Sequence, residues 1–341
     1  MQSTTYREIH LLNRPIGLPS ESDFGLVDTP IPAIAEGEML VRNIYMSVDP
    51  YMRGRMYDRQ SYVPPFQLNN PLEGGCVGQV VESKNGQFSV GDFVLGMLGW
   101  REYFVSDGSG LTQIDPHMAP LQMYLGALGM TGLTAYAGLL HIGEPKEGDT
   151  VFVSAASGAV GSIVCQIAKL KGCYVAGSAG SDEKAAWLTN EAGVDDAFNY
   201  KNAHDLVAQV GNSCPKGIDV YFENVGGKHL EAALEGMNPF GRIVLCGMIS
   251  IYNATRPPPG PINLGHAISK QLKLQGFIVM QHMDKLPQFQ ADMGKWIAAG
   301  KIKVKETIID GIENAPKAFI GLFKGENFGK MIVKIGPDPA L

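Results

Sequence analysis

The chain has 341 residues, more than one ordinary single-core domain holds, so two domains, or one domain interrupted by another, are expected. Hydrophobic residues make up 45%, charged residues 18%, and 42 are glycine, which describes a packed protein with many tight turns rather than a disordered or fibrous one. The net charge is −6 with lysines and arginines scattered, so there is no basic stripe for nucleic acid.

The N-terminal stretch "MQSTTYREIHLLNRP" lacks the apolar region of a secretory signal. Cys76, Cys165, Cys173, Cys214 and Cys246 are odd in number and widely spaced, with no C-x-x-C pair. That pattern fits reduced thiols in a cytoplasmic protein, not a disulfide framework or a structural zinc lobe.

Through residue 128 the chain alternates in short segments, such as "EMLVRNIYMSV", "GGCVGQVVES" and "FSVGDFVLGM", each bounded by Gly, Pro or Asn. This is the signature of an antiparallel β-rich domain. The uncharged run His117 to Gly143 is interrupted by Pro120, Gln122, Thr131, Thr134 and His141, and reads as a buried helix at a domain junction, not a membrane span.

From 129 to 302 the pattern becomes strand then helix: "DTVFVSAA" into "AVGSIVCQIAKLKG", "CYVAGSAG" into "SDEKAAWLTNEAG", then "DDAFNY", "GIDVYFENV", "GRIVLCGM" and "LKLQGFIV" with helical stretches between. Apolar strands alternating with helices predict an α/β fold, a doubly wound parallel sheet of the Rossmann type. "RPPPGPINL" is a Pro-rich loop rather than a linker. The tail from 303 to 341 reverts to strand ("KVKETIID"), amphipathic helix ("IENAPKAFIGLFKG") and strand ("GKMIVKIG"), and is expected to complete the β-rich domain of residues 1 to 128.

Chemistry concentrates at "VSAASGAVGS". Ala156, Gly158 and Gly161 occupy the three positions of a G-x-G-x-x-G turn between a strand and a helix whose apolar face carries Val160, Ile163, Val164, Ile167 and Leu170. Gly158 lets backbone approach a pyrophosphate, Gly161 lets helix and strand pack closely, and the helix N-terminus offers N–H groups and partial positive charge.

An NAD site would end the next strand in Asp or Glu, to accept hydrogen bonds from the adenosine ribose. Here that strand runs into Ala179, Gly180 and Ser181, with Lys184 one turn into the following helix and Tyr200 closing the third strand. A small neutral socket near an ammonium and hydroxyls suits a 2′-phosphate, so NADP(H) is the expected cofactor. On spacing alone, Lys184 serves equally well as a solvated helix lysine.

The segments "DPYMRGRM", "LGMTGLTAY", "AASGAVGS", "GSDEK", "FNYK", "FENVGG", "GRIVLCGMISIYN", "LQGFIV" and "ENFGKMIVK" together resemble the zinc-independent medium-chain dehydrogenase/reductases. Within them the likeness is to the prostaglandin reductase (leukotriene hydroxydehydrogenase) and alkenal double-bond reductase branch, above all its bacterial NADPH-dependent curcumin reductases. It spans almost the whole chain in order.

The resemblance implies a GroES-like catalytic domain plus a Rossmann domain, with hydride passing from NADPH to an α,β-unsaturated ketone or aldehyde. It carries pyrophosphate contacts onto Gly158, Ala159, Val160 and Gly161, and 2′-phosphate contacts onto Lys184 and Tyr200. Further cofactor contacts fall on Asn224, on Cys246, Gly247, Met248, Ile249, Ser250, Ile251 and Tyr252, on Phe277, Ile278 and Val279, and on Asn327. The family also pairs Rossmann edge strands into homodimers, and "LKLQGFIV" offers such an edge.

The chain departs from the family at Thr131, where Pro is frequent, and at Ser157, where Ala or Thr is. Neither change removes a needed donor. Zinc-dependent relatives carry an early Cys and a Gly-His-Glu motif, whereas no His stands beside Glu73 and Cys76 alone does not make a zinc site.

Conjugate reduction needs a hydride donor over the β-carbon, a hydrogen-bond donor where enolate charge develops, and a proton for the α-carbon. Tyr252, after the strand ending "LCGMIS", is the catalytic candidate for the second, as a binding and electrostatic residue first and an acid second. The proton can equally come from water or the cofactor ribose, and a Tyr in this loop can also simply shape the pocket. Tyr51 and Tyr62 are candidates for lining the substrate side, aromatic walls suiting flat conjugated molecules. Arg53 and Arg55 read as structural pairs. Quinone reduction on the same scaffold, and NADPH binding without turnover, remain open on sequence grounds.

Overall fold

The computed structural model describes residues 4–340. By its internal contacts the chain divides into two compact units, one of residues up to Leu125 with Glu306–Asn327 and Met331 onward, the other of Gly126–Lys305 with Phe328–Lys330.

The first unit opens with a two-stranded antiparallel sheet, β1 (Thr5–Leu11) and β2 (Phe24–Pro30). There follow β3 (Met39–Ser47), a short helix α1 (Met52–Arg55), β4 (Cys76–Ser83), β5 (Phe93–Gly96), β6 (Tyr103–Ser106) and β7 (Thr112–Ile114). β3 pairs antiparallel with both β4 and β6, and all but one of its nine residues are buried. A strand with neighbours along its length and a core beneath it reads as a continuous apolar run.

In the second unit α2 (Met130–Ala137) precedes β8 (Thr150–Val153), α3 (Gly161–Leu170), β9 (Tyr174–Ala179), α4 (Asp182–Asn190), β10 (Asp196–Asn199), α5 (Leu206–Ser213), β11 (Ile218–Glu223), α6 (Lys228–Gly236), β12 (Met237–Leu245), α7 (His266–Ser269), β13 (Lys273–Gly276) and α8 (Leu286–Ala298). The strands form one parallel sheet in the order β10-β9-β8-β11-β12-β13. All four residues of β8 are buried, as the centre of a doubly wound sheet requires. The order reverses between β8 and β11, which makes the carboxyl ends of these two strands the switch point where such sheets bind ligands.

The tail supplies β14 (Glu306–Asp310), α9 (Ala315–Lys324) and β15 (Lys330–Lys334). β15 pairs antiparallel with β3 and completes the first unit's seven-stranded sheet, β14-β15-β3-β4-β5-β7 with β6 on β3. Phe319 of α9 packs edge-on against Trp100, 6.2 Å between centroids, and Trp100 in turn stacks on Phe24 at 6.1 Å.

The run His117 to Gly143 is not the single buried helix its composition suggests. It breaks into a 3-10 turn (Leu121–Leu125), α2 and a π-helical turn (Gly138–Gly143), and the unit boundary falls just after Leu125. Gly132 sits so close to the Ala127 carbonyl that a Cβ there would stand 2.0 Å from its oxygen, an approach no continuous helix makes. Among the described residues no helix is long and apolar enough to cross a membrane.

Candidate active site

The site residues named on the second unit all follow the carboxyl end of a strand in the parallel sheet. After β8 the chain turns through Ala155, which takes a left-handed φ of 48°, and enters α3 at Gly161. A Cβ on Gly161 would stand 2.4 Å from the Ala155 carbonyl oxygen, and a Cβ on Gly177 of β9 would stand 2.6 Å from the Ala156 Cβ. The first fingerprint position therefore tolerates alanine because the neighbouring strand supplies the missing glycine.

No side chain caps α3. The backbone N–H groups of Val160 and Gly161 have no acceptor among the described residues, whereas Ala159 lies beside the bridge between Gly158 and Gly329, and Ser162 and Ile163 donate to Gly158 and Val160. Unsatisfied N–H groups at the positive end of a helix dipole are an anion site in waiting.

The loop after β12 is pinned to the end of β11. Ile249 N–H donates to the Asn224 carbonyl at 3.1 Å, and Ser250 donates to the Val225 carbonyl with both its N–H (3.0 Å) and its hydroxyl (2.6 Å). Asn224 itself donates from Nδ2 to the Ser154 carbonyl at 2.8 Å, tying β11's end to β8's. Residues Ile249–Ile251 form a single 3-10 turn with Tyr252 at its C-cap.

The Tyr252 hydroxyl accepts the Met248 N–H at 3.2 Å, and a Cβ on Gly247 would stand 3.2 Å from it, so glycine there leaves the phenol its place. Tyr252 is half-buried, and burial raises its pKa, keeping the phenol protonated at neutral pH. Burial likewise pushes the Cys246 thiol up to about 12, so it is no nucleophile. Phe277, Ile278 and Val279 lie beyond the end of β13 rather than within it, with the Phe277 ring held over Gly138, where a Cβ would meet its Cζ at 2.7 Å.

The ends of β9 and β10 form a cationic corner. The Ser181 hydroxyl caps α4 by accepting the Lys184 N–H at 3.3 Å. Around Gly180, its Cβ position lies 3.7 Å from Tyr200 Cε1 and 3.8 Å from Lys201 Nζ. Burial, and then the Lys201 ammonium, lower the Lys184 pKa. The Lys201 ammonium thus approaches Gly180 and is close enough to Lys184 to act on its charge. Lys201 is a residue the sequence reading passes over, although it stands beside Tyr200 in "FNYK". The Tyr200 ring meets His229 edge-on at 4.9 Å, and burial lowers the His229 pKa to about 4.

Asn327 lies half-buried between α9 and β15. Its neighbours belong to the second unit: Phe328 packs edge-on against Trp187 at 5.3 Å, and Gly329 N–H donates to the Ser157 carbonyl at 2.9 Å.

In the first unit Tyr51 precedes α1 with its hydroxyl buried and without a hydrogen-bond partner of good geometry among the described residues. Tyr62 sits on an exposed loop. Arg53 donates to the Pro15 and Gly17 carbonyls, both at 2.9 Å, and lies over Tyr57. Arg55 pairs with Glu73 at 2.8 Å and lies over Phe66, so both arginines hold loops together. No group of three or more His, Cys, Asp or Glu side chains able to hold a metal ion occurs among the described residues.

Comparison with known proteins places these features in a family. Residues 7–114 match the N-terminal domain of oxidoreductases, and residues 159–298 match the zinc-binding dehydrogenases. The chain is 46% identical over 333 residues to the NADPH-dependent curcumin reductase of Escherichia coli, covering 96% of each chain. It is 44% identical over 342 residues to the NADP(+)-dependent 2-alkenal reductase of Nicotiana tabacum, covering 99% of each. Its fold matches the crystal structure of CurA in complex with NADPH from Vibrio vulnificus with a TM-score of 0.93, at 47% identity over 97% of this chain and 100% of that one. The chain belongs to the medium-chain dehydrogenase/reductase family, in the branch of the curcumin and 2-alkenal reductases.

Proposed function

We propose that this protein is an NADPH-dependent oxidoreductase that saturates the C=C bond of α,β-unsaturated ketones and aldehydes. The observation that carries the reading is the loop Cys246–Tyr252, fastened to the switch point with a protonated phenol at its end. It stands in a unit whose backbone suits a dinucleotide.

The residues fit NADPH. Gly158 and Gly161 leave a cradle that side chains would fill, and Ala159 with the N–H groups of Val160 and Gly161 is assigned to the pyrophosphate. Lys184, Tyr200 and Lys201 beside Gly180 supply charge and a hydroxyl for the 2′-phosphate where an acid would repel it. Asn224, the backbone from Cys246 to Ile251, and Phe277, Ile278, Val279 and Asn327 complete the holding set by analogy with the relatives.

Bound NADPH supplies a hydride to the substrate's β-carbon. Tyr252 stabilises the carbonyl oxygen as enolate charge develops there, because burial keeps its proton on and the Met248 N–H polarises its oxygen. The α-carbon takes its proton from Tyr252, from water or from the cofactor ribose. Tyr51 and Tyr62 are assigned to substrate contact on their chemistry alone.

We further propose a cytoplasmic homodimer. β13 is an edge strand, and Phe240, Ile262 and Ile268 of the same unit are 66%, 89% and 84% exposed. A bare strand edge with large apolar neighbours is a surface that a second copy would cover.

The test is NADPH consumption, beside NADH, with a long conjugated enone, a short 2-alkenal and a quinone, each product identified by mass. Saturated ketone or aldehyde formed with NADPH strongly preferred is the expected result. Turnover of the quinone alone, or tight NADPH binding with no turnover, would overturn it.

A further inference from the structure

Glu223 closes β11 with its side chain wholly buried at the switch point. Its Oε1 accepts the Ser154 hydroxyl at 2.9 Å and the Val225 N–H at 2.6 Å. The Ser154 oxygen in turn accepts the Asn224 N–H at 2.9 Å, and the Glu223 carbonyl accepts the N–H groups of both Cys246 and Gly247 at 3.0 Å. One residue therefore grips the end of β8, the start of the 224–227 turn and the root of the Cys246–Tyr252 loop.

The cost of this arrangement is visible. Glu223 Oε2 and the hydroxyl of Tyr221 on the same strand are buried, and neither meets a hydrogen-bond partner at good geometry among the described residues. Removing a carboxyl group from water is unfavourable, and holding one of its oxygens without a bond of good geometry makes it more so. An apolar residue would serve the core better, and rules of packing broken at one place mark a functional demand.

We infer that Glu223 is a positioning residue: through Ser154 and Val225 it fixes the Cys246–Tyr252 loop against the end of β8 and so sets where the Tyr252 phenol stands. Its buried carboxylate is bonded to protein groups, Ser154 and Val225, so it acts through them. The inference rests on the proposed role of that loop.

The test compares binding of NADPH with binding of 2′,5′-ADP, which lacks the nicotinamide half, in wild type, Glu223→Ala, Glu223→Gln and Ser154→Ala. Ser154→Ala removes one hydroxyl and serves if Glu223→Ala fails to fold. Losing a buried hydrogen bond of the clamp should weaken NADPH about tenfold in Glu223→Ala. Binding of 2′,5′-ADP should stay within about twofold of wild type. Ser154→Ala should follow the same split more weakly, and Glu223→Gln, which keeps an acceptor oxygen, should recover most of the affinity.

In enone turnover, the penalty of Tyr252→Phe should shrink in the Ser154→Ala background, because the phenol is already misplaced. Equal weakening of both ligands, or no weakening of either, would overturn the role of Glu223. So would a Tyr252→Phe penalty that is undiminished in the Ser154→Ala background. If Tyr252→Phe alone changes neither turnover nor NADPH affinity, the reading of the loop has failed instead, and the inference falls with it.

Discussion

Tyr252 and Met248 close a small ring within one loop: the phenol oxygen accepts the Met248 N–H at 3.2 Å, four residues back along the chain. The bond orients the hydroxyl without drawing on another element, and Gly247 leaves room for it. Tyr252→Phe keeps the ring, removes the oxygen and leaves that N–H without this acceptor. Loss of a donor to developing negative charge should lower the enone rate about tenfold to a hundredfold, with NADPH affinity changed far less. Steady-state kinetics beside cofactor titration checks this, and an unchanged rate would remove Tyr252 from the chemistry.

The lysine corner gives a second expectation. Lys184→Ala and Lys201→Ala should each weaken NADPH about tenfold while leaving NADH nearly unchanged, as expected for charge-assisted bonds to the 2′-phosphate alone. Raising the salt concentration should narrow the gap between the two cofactors in wild type. Equal weakening of NADPH and NADH in either variant would show that the lysine does not face the 2′-phosphate.

Gly161 is a packing constraint before it is a binding one. In Gly161→Ala the new methyl would lie 2.4 Å from the Ala155 oxygen and 2.9 Å from Ala156 Cα, both backbone atoms with little room to yield. Overpacking of this kind should destabilise the second unit by about 1–3 kcal/mol. Thermal melts should record a lower Tm with and without NADPH, and an unchanged Tm would contradict the close approach.

His229 makes stability depend on pH. Its imidazole has an ordinary pKa of 6.5, lowered to about 4 in the folded protein by burial. As pH falls below about 6.5, the unfolded chain takes up a proton that the folded one refuses, so stability declines down to about pH 4, where both forms are protonated. At pH 5 the loss from this residue should be about 2 kcal/mol. Urea melts at pH 7 and pH 5 should therefore differ more for wild type than for His229→Gln, and equal differences would show that His229 titrates normally.

Phe240 tests the edge of the parallel sheet. Phe240→Asp puts a charge on an exposed apolar site beside the edge strand, and should shift the protein toward monomer in size-exclusion chromatography with light scattering. A wild type already monomeric at working concentration would refute the dimer.

Most of the parallel sheet was legible because its strands are short apolar runs set off by glycines, and the fingerprint turn declared itself by position between strand and helix. The β1–β2 pair was not, since Leu11 and Phe24 are joined by a long connection rather than a two-residue turn with a sequence signal. The run His117 to Gly143 misled because composition records apolarity but not the backbone approach at Gly132 that breaks it. Within the site, residues marked by a motif were legible, whereas Lys201 and Glu223 were not. A lysine on a turn looks like any solvated lysine, and nothing in the letters says that Glu223 is buried with its carboxylate bonded to Ser154 and Val225.

The return of the tail has a consequence for how the chain is made. β3 is synthesised before, and its partner β15 after, the whole of Gly126–Lys305. The later unit can finish folding during translation, whereas the earlier one must wait for β15 with a strand edge exposed. A nascent chain stalled before Glu306 should thus carry a protease-resistant second half and a protease-sensitive first half, and any defect that slows synthesis of the tail should be read out first as aggregation of the N-terminal segment.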